Sequence, residues 1–316
     1  LPLVALGCVP ASGLAHWLAS LTPTGALAAA CFSRGWRGVA VSVCTCLPWV
    51  VAGIFAGAPG TSSAASVAAF APRAEAHAGT LGSLLGLGGI WNGQAVPASR
   101  ELGFALFGVA LCALLALAWR SVPRRFLLLA ALGFAVAFAS WAGLTAPLIQ
   151  HLPGGGLLRD GQKWLILAIP AFVAAAGALE PRRALAAAAF ALLQVPDAPI
   201  ALAALTPTSI EVPAVDHRGR DVLFESRPAL VPIDGHPVVD PTPKAMNVVE
   251  SGALTVDGVA VDPPSLRWAA AQAALDDQER LRELGVGVVV RADGSVAETG
   301  EPARPLPPAG IALFAL

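Results

Sequence analysis

Apolar stretches separated by short basic segments fill the first 205 residues of the chain, and the pattern then stops. A helix that crosses a membrane needs about 20 mostly apolar residues. Stretches near that length run over about 39–57, 102–119, 126–149, 164–179 and 184–205, and 3–21 is a weaker sixth, interrupted by Pro10, Gly13 and His16. Pro170 interrupts the fourth of the main stretches, and Pro196 and Pro199 break the last, so its regular helix is expected to stop near Val195. The pattern predicts an α-helical multipass membrane domain of about five to six transmembrane helices over 1–205, followed by a small extracytoplasmic α/β domain over 206–316.

Basic residues in short loops set the expected orientation. Arg34 and Arg37, then Arg120, Arg124 and Arg125, then Arg182 and Arg183 mark three loops that alternate without conflict as cytoplasmic ones. The loops 58–101 and 148–163, and everything after 206, then face outward. Within the outer loop 58–101, Ser62–Ala71 and Leu81–Leu87 read as short helices on the membrane surface. Gly86, Gly88 and Gly89 read as a turn or a close backbone approach.

Beyond 206 the pattern shortens. Residues 221–225 and 286–291 read as strands, as does 310–316, and 253–261 reads as a hairpin turning at Asp257-Gly258. Ser265 is a fitting N-cap for a helix to about Leu284, closed by Gly285. The polar run Asp216–Asp221 reads as a solvated linker.

Composition agrees with the membrane reading. Hydrophobic residues make up 56% of the chain and charged ones 13%, where a soluble domain carries about 25% charged; mean hydropathy is +0.68. Residues 1–205 hold eleven Arg or Lys against five acids, and the remainder nine against sixteen, so charge changes sign where the apolar pattern ends. Tyr is absent, and Ala dominates the apolar runs, a bias that suggests a GC-rich bacterial genome. The chain opens on Leu1 with no charged leader, and its one Met is Met246, so it reads as lacking an N-terminal part. Cys8, Cys31, Cys44, Cys46 and Cys112 have no zinc spacing and read as small packing residues.

Familiar chemistry is missing from the sequence. It holds no phosphate-binding GxxxxGK[ST] loop, no GxGxxG after a strand, no GxSxG and no HExxH. The acidic tail argues against a nucleic-acid partner. His16 and Asp197 are the only ionisable residues near the middle of an apolar stretch, which disfavours ion-coupled transport. Glu75, His77, Glu101, His151 and Asp160 all fall on the outer side, where a solvated role outweighs a catalytic one.

One polar cluster calls for a reason. In "LLRDGQKW", Arg159, Asp160 and Lys163 sit at the outer edge of an apolar stretch, against the usual inside bias of basic residues. Asp160 near a helix N-terminus complements the dipole and is spaced to pair with Lys163. Arg159 and Lys163, four apart, share one face if the helix starts early. Two cations beside unpaired helix amides suit a lipid-linked phosphate. The same residues equally suit ordinary contact with lipid headgroups, with Asp160 as an N-cap.

The segments "LPWVVAGIF", "GTLGSLLGLGGIWNGQAVPASRE", "LLRDGQKW" and "HPVVDPTPK" resemble a group of large actinobacterial multipass membrane proteins similar to GT-C-type glycosyltransferases, which use polyprenyl-phosphate sugars. The resemblance covers most of this chain and the C-terminal half of such proteins. It implies a bacterial plasma-membrane enzyme that moves a sugar from a polyprenyl-phosphate donor to a cell-envelope glycan, with Arg159, Asp160 and Lys163 in a lipid-phosphate pocket and the tail extracytoplasmic. Catalytic carboxylates of that architecture sit in a first outer loop that this chain does not include, so none is assigned. No cofactor is implied beyond the donor substrate. The rival expectation is a non-catalytic membrane scaffold or envelope-assembly factor with an outer binding domain; a transporter ranks third.

Overall fold

A computed structural model describes residues 62–152, 155–203, 205, 207–233, 235–256, 258–305 and 308, together with 40, 44, 47 and 51. The expected helices at 3–21 and 39–57 (apart from those four helical positions), the loop basic pair Arg34 and Arg37, and the expected strand at 310–316 lie outside the described residues. The chain divides into two compact units between Leu205 and Thr206, the second running to Pro307.

The first unit is helical. Its elements are α1 (Ala64–Ala69), α2 (Gly79–Leu85), α3 (Ala105–Ala116), α4 (Arg124–Trp141), α5 (Ala146–His151), α6 (Ile169–Gly177), α7 (Pro181–Leu193) and α8 (Ala198–Ala203). A tight 3-10 segment, Gly161–Ala168, leads into α6.

The expected multipass domain of five to six spans is corrected here. Among the described residues only α4 is long and apolar enough to cross a membrane. The apolar stretches are real, but the backbone interrupts them. Gly103, at φ +99, separates a wide turn over Arg100–Phe104 from α3, which keeps 12 residues. The stretch 126–149 divides at Gly143, at φ +74, into α4 and α5. The fourth stretch is half 3-10 helix, with Pro170 in the first turn of α6. The last stops at Leu193 and restarts as α8 after Pro196. Twelve helical residues rise only about 18 Å, well short of a hydrocarbon core about 30 Å thick.

Small side chains knit the unit together. The buried cluster Leu115, Ala118, Val122, Phe126, Ala130, Ala168, Ala171, Ala175 and Ala187 joins α3, α4, α6 and α7. Alanine at so many contact positions lets helix backbones approach closely. Gly133 of α4 goes further, since a Cβ there would strike the Trp164 carbonyl. That contact clamps α4 against Gly161–Ala168, flanked by Leu129, Leu165 and Leu167.

The second unit is built on a three-stranded sheet, ordered β1 (Val222–Phe224), β6 (Val288–Val290), β7 (Val296–Glu298), with β1 and β6 parallel and β6 and β7 antiparallel. Two hairpins are separate from it: β2 (Leu230–Ile233) with β3 (His236–Val239), and β4 (Leu254–Val256) with β5 (Val259–Asp262). Gly258 carries the positive φ, +80, that the β4–β5 turn requires. A short α9 (Thr242–Ala245) follows β3. The helix expected over 265–284 is two helices, α10 (Leu266–Ala273) and α11 (Gln278–Glu283). The Ser265 hydroxyl caps α10 by accepting from the Trp268 amide at 3.2 Å. Asp277 opens α11 afresh, accepting from the Arg280 amide at 3.0 Å, and Gly285 at φ +74 closes it. Leu223, Val249, Ala271, Ala274, Leu281, Val286 and Val289 form the core between sheet and helices.

Candidate functional site

Arg159, Asp160 and Lys163 lie in the helical unit, at the turn that feeds Gly161–Ala168. The preceding loop comes in close at Gly155, where a Cβ would meet the carbonyls of Leu148 and Ile149 in α5. The next constraint is Gly161, where a Cβ would fall on the buried Ser140 side chain of α4. One glycine before the cluster and one within it therefore bring the chain close against two helices.

The helix does not begin early enough to put Arg159 and Lys163 on one helical face: Arg159 lies in a bend, and regular structure starts at Gly161. The two cations instead take separate supports. The Arg159 guanidinium lies over the Phe70 ring, 4.1 Å from its centroid, and its Nη1–H donates to Ser66 Oγ of α1 at 3.2 Å. Phe70 in turn packs against Trp91, with ring centroids 4.4 Å apart. Lys163 Nζ pairs with Asp160 Oδ2 at 2.8 Å, while the lysine side chain stays 66% exposed.

Asp160 is the inner member, only 8% exposed. It occupies the N-cap position but its carboxylate makes no capping bond to the helix amides. With Oδ2 on Lys163, the other oxygen, Oδ1, is buried and has no hydrogen-bond partner. Thr145 Oγ1, just before α5, is likewise buried without a partner. Ser66, Phe70 and Ser140 are neighbours that sequence reasoning missed, since nothing in the local spacing links them to residues 159–163.

Among the described residues the other candidate groups take separate structural roles. Glu75 is consumed by structure: it pairs with Arg100 at 2.5 Å, its Oε1 accepts from the Gly89 amide at 2.8 Å, and its own amide donates to Ser83 Oγ at 2.9 Å. Arg100 also donates to Gln194 Oε1 at 3.2 Å. Gly88 is the close approach among the three glycines, because a Cβ there would collide with both Glu75 and Arg100. His77 sits at φ +63 against Gly103, His151 ends α5, and Glu101 is exposed. Asp197 accepts from the Ser99 hydroxyl at 2.6 Å and the Ser99 amide at 3.0 Å, tying the α7–α8 turn to the segment before α3.

In the second unit the run 216–221 is more than a solvated linker. Asp216 and Arg218 pair at the surface, but Arg220 reaches Glu298 at 3.0 Å, and buried Asp221 is held by Arg267 and Arg304, each at 2.7 Å. Arg227 grips Asp240 through two bonds and also donates to Thr242 Oγ1. The Arg227 guanidinium, helped by Thr242, pulls the Asp240 carboxyl down to about 2. Among the described residues no group of three or more His, Cys, Asp or Glu is placed to hold a metal ion.

No protein-family model, curated protein or solved structure matches this chain.

Proposed function

We propose that this chain is part of an enzyme of the bacterial plasma membrane that transfers a sugar from a polyprenyl-phosphate donor to a cell-envelope glycan, and that Arg159, Asp160 and Lys163 form its lipid-phosphate pocket, the two cations meeting the phosphate and Asp160 positioning Lys163. The observation that carries this reading is the company these charges keep. Lys163 keeps its side chain largely exposed, and the same unit exposes the apolar side chains of Leu144, Leu148 and Leu152 in and beside α5 and of Ile166, three residues after Lys163. Exposed cations and exposed apolar side chains on one unit suit a ligand that is anionic at one end and hydrocarbon at the other. Arg159, braced on Phe70, supplies a second positive charge with its stem fixed. In the transfer step the lipid phosphate leaves, and positive groups already in place stabilise the charge that develops on it.

A second reading draws on the other unit. Its buried acids Asp221 and Asp240 are both engaged by arginines, whereas Leu230, Val239, Val259 and Leu266 are exposed. Exposed apolar side chains of this kind, Leu230 and Val239 being cross-strand neighbours, suit a scaffold or envelope-assembly role in which the second unit binds a partner. The two readings separate in one experiment. The chain in nanodiscs is titrated with polyprenyl monophosphate, beside Arg159→Ala and Lys163→Ala. Loss of one charged hydrogen bond costs ~1.5–3 kcal/mol, so each variant should bind about ten- to a hundredfold more weakly. Wild-type affinity in both variants sinks the enzyme reading and leaves the scaffold.

A further inference from the structure

The unfilled oxygen of Asp160 points to the chemical class of the ligand, provided that the donor site lies at this cluster. We propose that Asp160 Oδ1 accepts a hydrogen bond from a sugar hydroxyl, so that the site takes a glycosyl phosphate lipid in preference to the bare lipid phosphate.

An ionised carboxylate only accepts hydrogen bonds, and a buried acceptor without a donor is costly. Two of the other buried acids among the described residues have a partner on each oxygen, while the third, Asp221, has both its arginines on Oδ2. Glu75 has the Gly89 amide on one oxygen and Arg100 on the other. Asp240 has Arg227 on both, with Thr242 added. Asp160 has Lys163 on Oδ2 and nothing on Oδ1, although the amides of the following helix lie within its usual capping reach. The acceptor is kept open while the chain around it is held tightly by Gly155 and Gly161.

Four kinds of group fill such an oxygen: a metal ion, a cationic donor, an acid that has kept its proton, or a neutral hydroxyl, amide or water; Lys163 already supplies a cation to this carboxylate on Oδ2. Among the described residues Asp160 belongs to no group of three or more His, Cys, Asp or Glu placed to hold a metal ion. A phosphate brought to Oδ1 would meet like charge, whereas at Lys163 and Arg159 it meets opposite charge. The arrangement therefore separates two subsites, a cationic one and an acceptor one. A sugar esterified at its anomeric carbon offers a phosphate and, on the adjacent carbon, a hydroxyl. Those are the two groups the subsites ask for, in neighbouring positions.

The test compares binding of polyprenyl monophosphate with that of its mannosyl and arabinosyl esters, each titrated into nanodiscs of phosphatidylethanolamine and phosphatidylglycerol that hold the protein. Wild type should prefer at least one glycosyl ester by about tenfold or more, the scale of one hydrogen bond to a charged group. Asp160→Ala should bring that ratio close to one. Lys163→Ala should weaken all three lipids together and leave the ratio standing. Asp160→Asn keeps the shape and serves if the alanine variant fails to fold; its neutral amide should lower the preference several-fold. Equal wild-type binding of all three lipids overturns the sugar subsite and leaves phosphate binding in place. A full preference retained in Asp160→Ala, or in Asp160→Asn where the alanine variant is unfolded, also overturns it. Binding of none of the lipids removes the donor-site reading itself, and the sugar subsite with it.

Discussion

Glu75 and Arg100, twenty-five residues apart, form an ion pair at 2.5 Å inside the helical unit, with side chains only 2% and 8% exposed. Charges this deep persist only when each is matched. Arg100 reaches Gln194 as well, Glu75 takes the Gly89 amide, and Gly88 leaves room for the pair by having no side chain, while Arg100 Nη2 meets Glu75 as an ion pair without a well-aligned hydrogen bond. The pair ties the turn before α2 to the turn before α3 and to the end of α7.

Breaking that pair on one side should be severe. Arg100→Met leaves Glu75 buried and uncompensated, a change that typically costs about 3–5 kcal/mol. Because whole domains are stable by only about 5–15 kcal/mol, the helical unit should melt far earlier in detergent. Glu75→Gln combined with Arg100→Met removes both charges and should recover much of the loss. A thermal melt of the three proteins decides it: a double variant no better than Arg100→Met would mean that the pair's geometry, not its charge balance, holds the loop.

The second unit should fold alone. It has its own core, in which Leu223, Val286 and Leu281 are buried between sheet and helices, and its caps at Ser265 and Asp277 are internal. A fragment covering 206–307 should give a mixed α/β circular dichroism spectrum and a cooperative melt. Leu281→Ala should cost it ~2–5 kcal/mol. A random-coil spectrum for the unmutated fragment would show that these contacts do not suffice.

The same fragment should lose stability in acid along a particular route. Arg227 and Thr242 hold the Asp240 carboxyl down at about 2, against about 3.9 in an unfolded chain. A folded-state value below the unfolded one means that the contribution is present above about pH 4 and fades as pH falls toward 2. Asp240→Asn removes the titrating group. Urea midpoints should therefore fall more steeply with acid in wild type than in Asp240→Asn across that window, and parallel slopes would assign the acid loss to other carboxylates.

How far the sequence foretold this fold depends on the distance over which each signal acts. Ser265, Gly285 and the valine-rich run at 286–291 act within a few residues, and the cap, the helix stop and β6 all lie there. The three-residue spacing of Asp160 and Lys163 likewise brings the two into an ion pair. Apolar run length misled, because hydropathy counts side chains while helix continuity depends on the backbone; Gly143 ends a helix inside a run that reads as continuous and Gly103 kinks the chain just before α3, whereas the break at Pro196 was legible from the proline itself. Asp277 did the same inside the expected 265–284 helix by capping α11. Glu75 with Arg100, Asp197 with Ser99 and Arg159 with Phe70 are non-local, and no spacing rule reaches them.

The placement of the 159–163 cluster should depend on one missing methyl group. Gly161 lies so close to α4 that a Cβ would overlap the Ser140 side chain, itself buried. Its backbone lies outside the left-handed region, so alanine is conformationally acceptable there and any effect arises from the contact. Gly161→Ala should push residues 159–163 away from α4, draw Asp160 toward solvent and shift Arg159 on Phe70, with every charged group still present. Overpacking of this kind typically costs about 1–3 kcal/mol. Polyprenyl-phosphate binding in nanodiscs should weaken along with stability. Ser140→Gly would relieve the overlap at a helix-propensity cost of under about 1 kcal/mol, so the double variant Ser140→Gly/Gly161→Ala should regain both the melting temperature and the binding. Regained stability without regained binding would mean that the position of the cluster against α4 is irrelevant to the lipid. Binding that survives Gly161→Ala unchanged would mean the same.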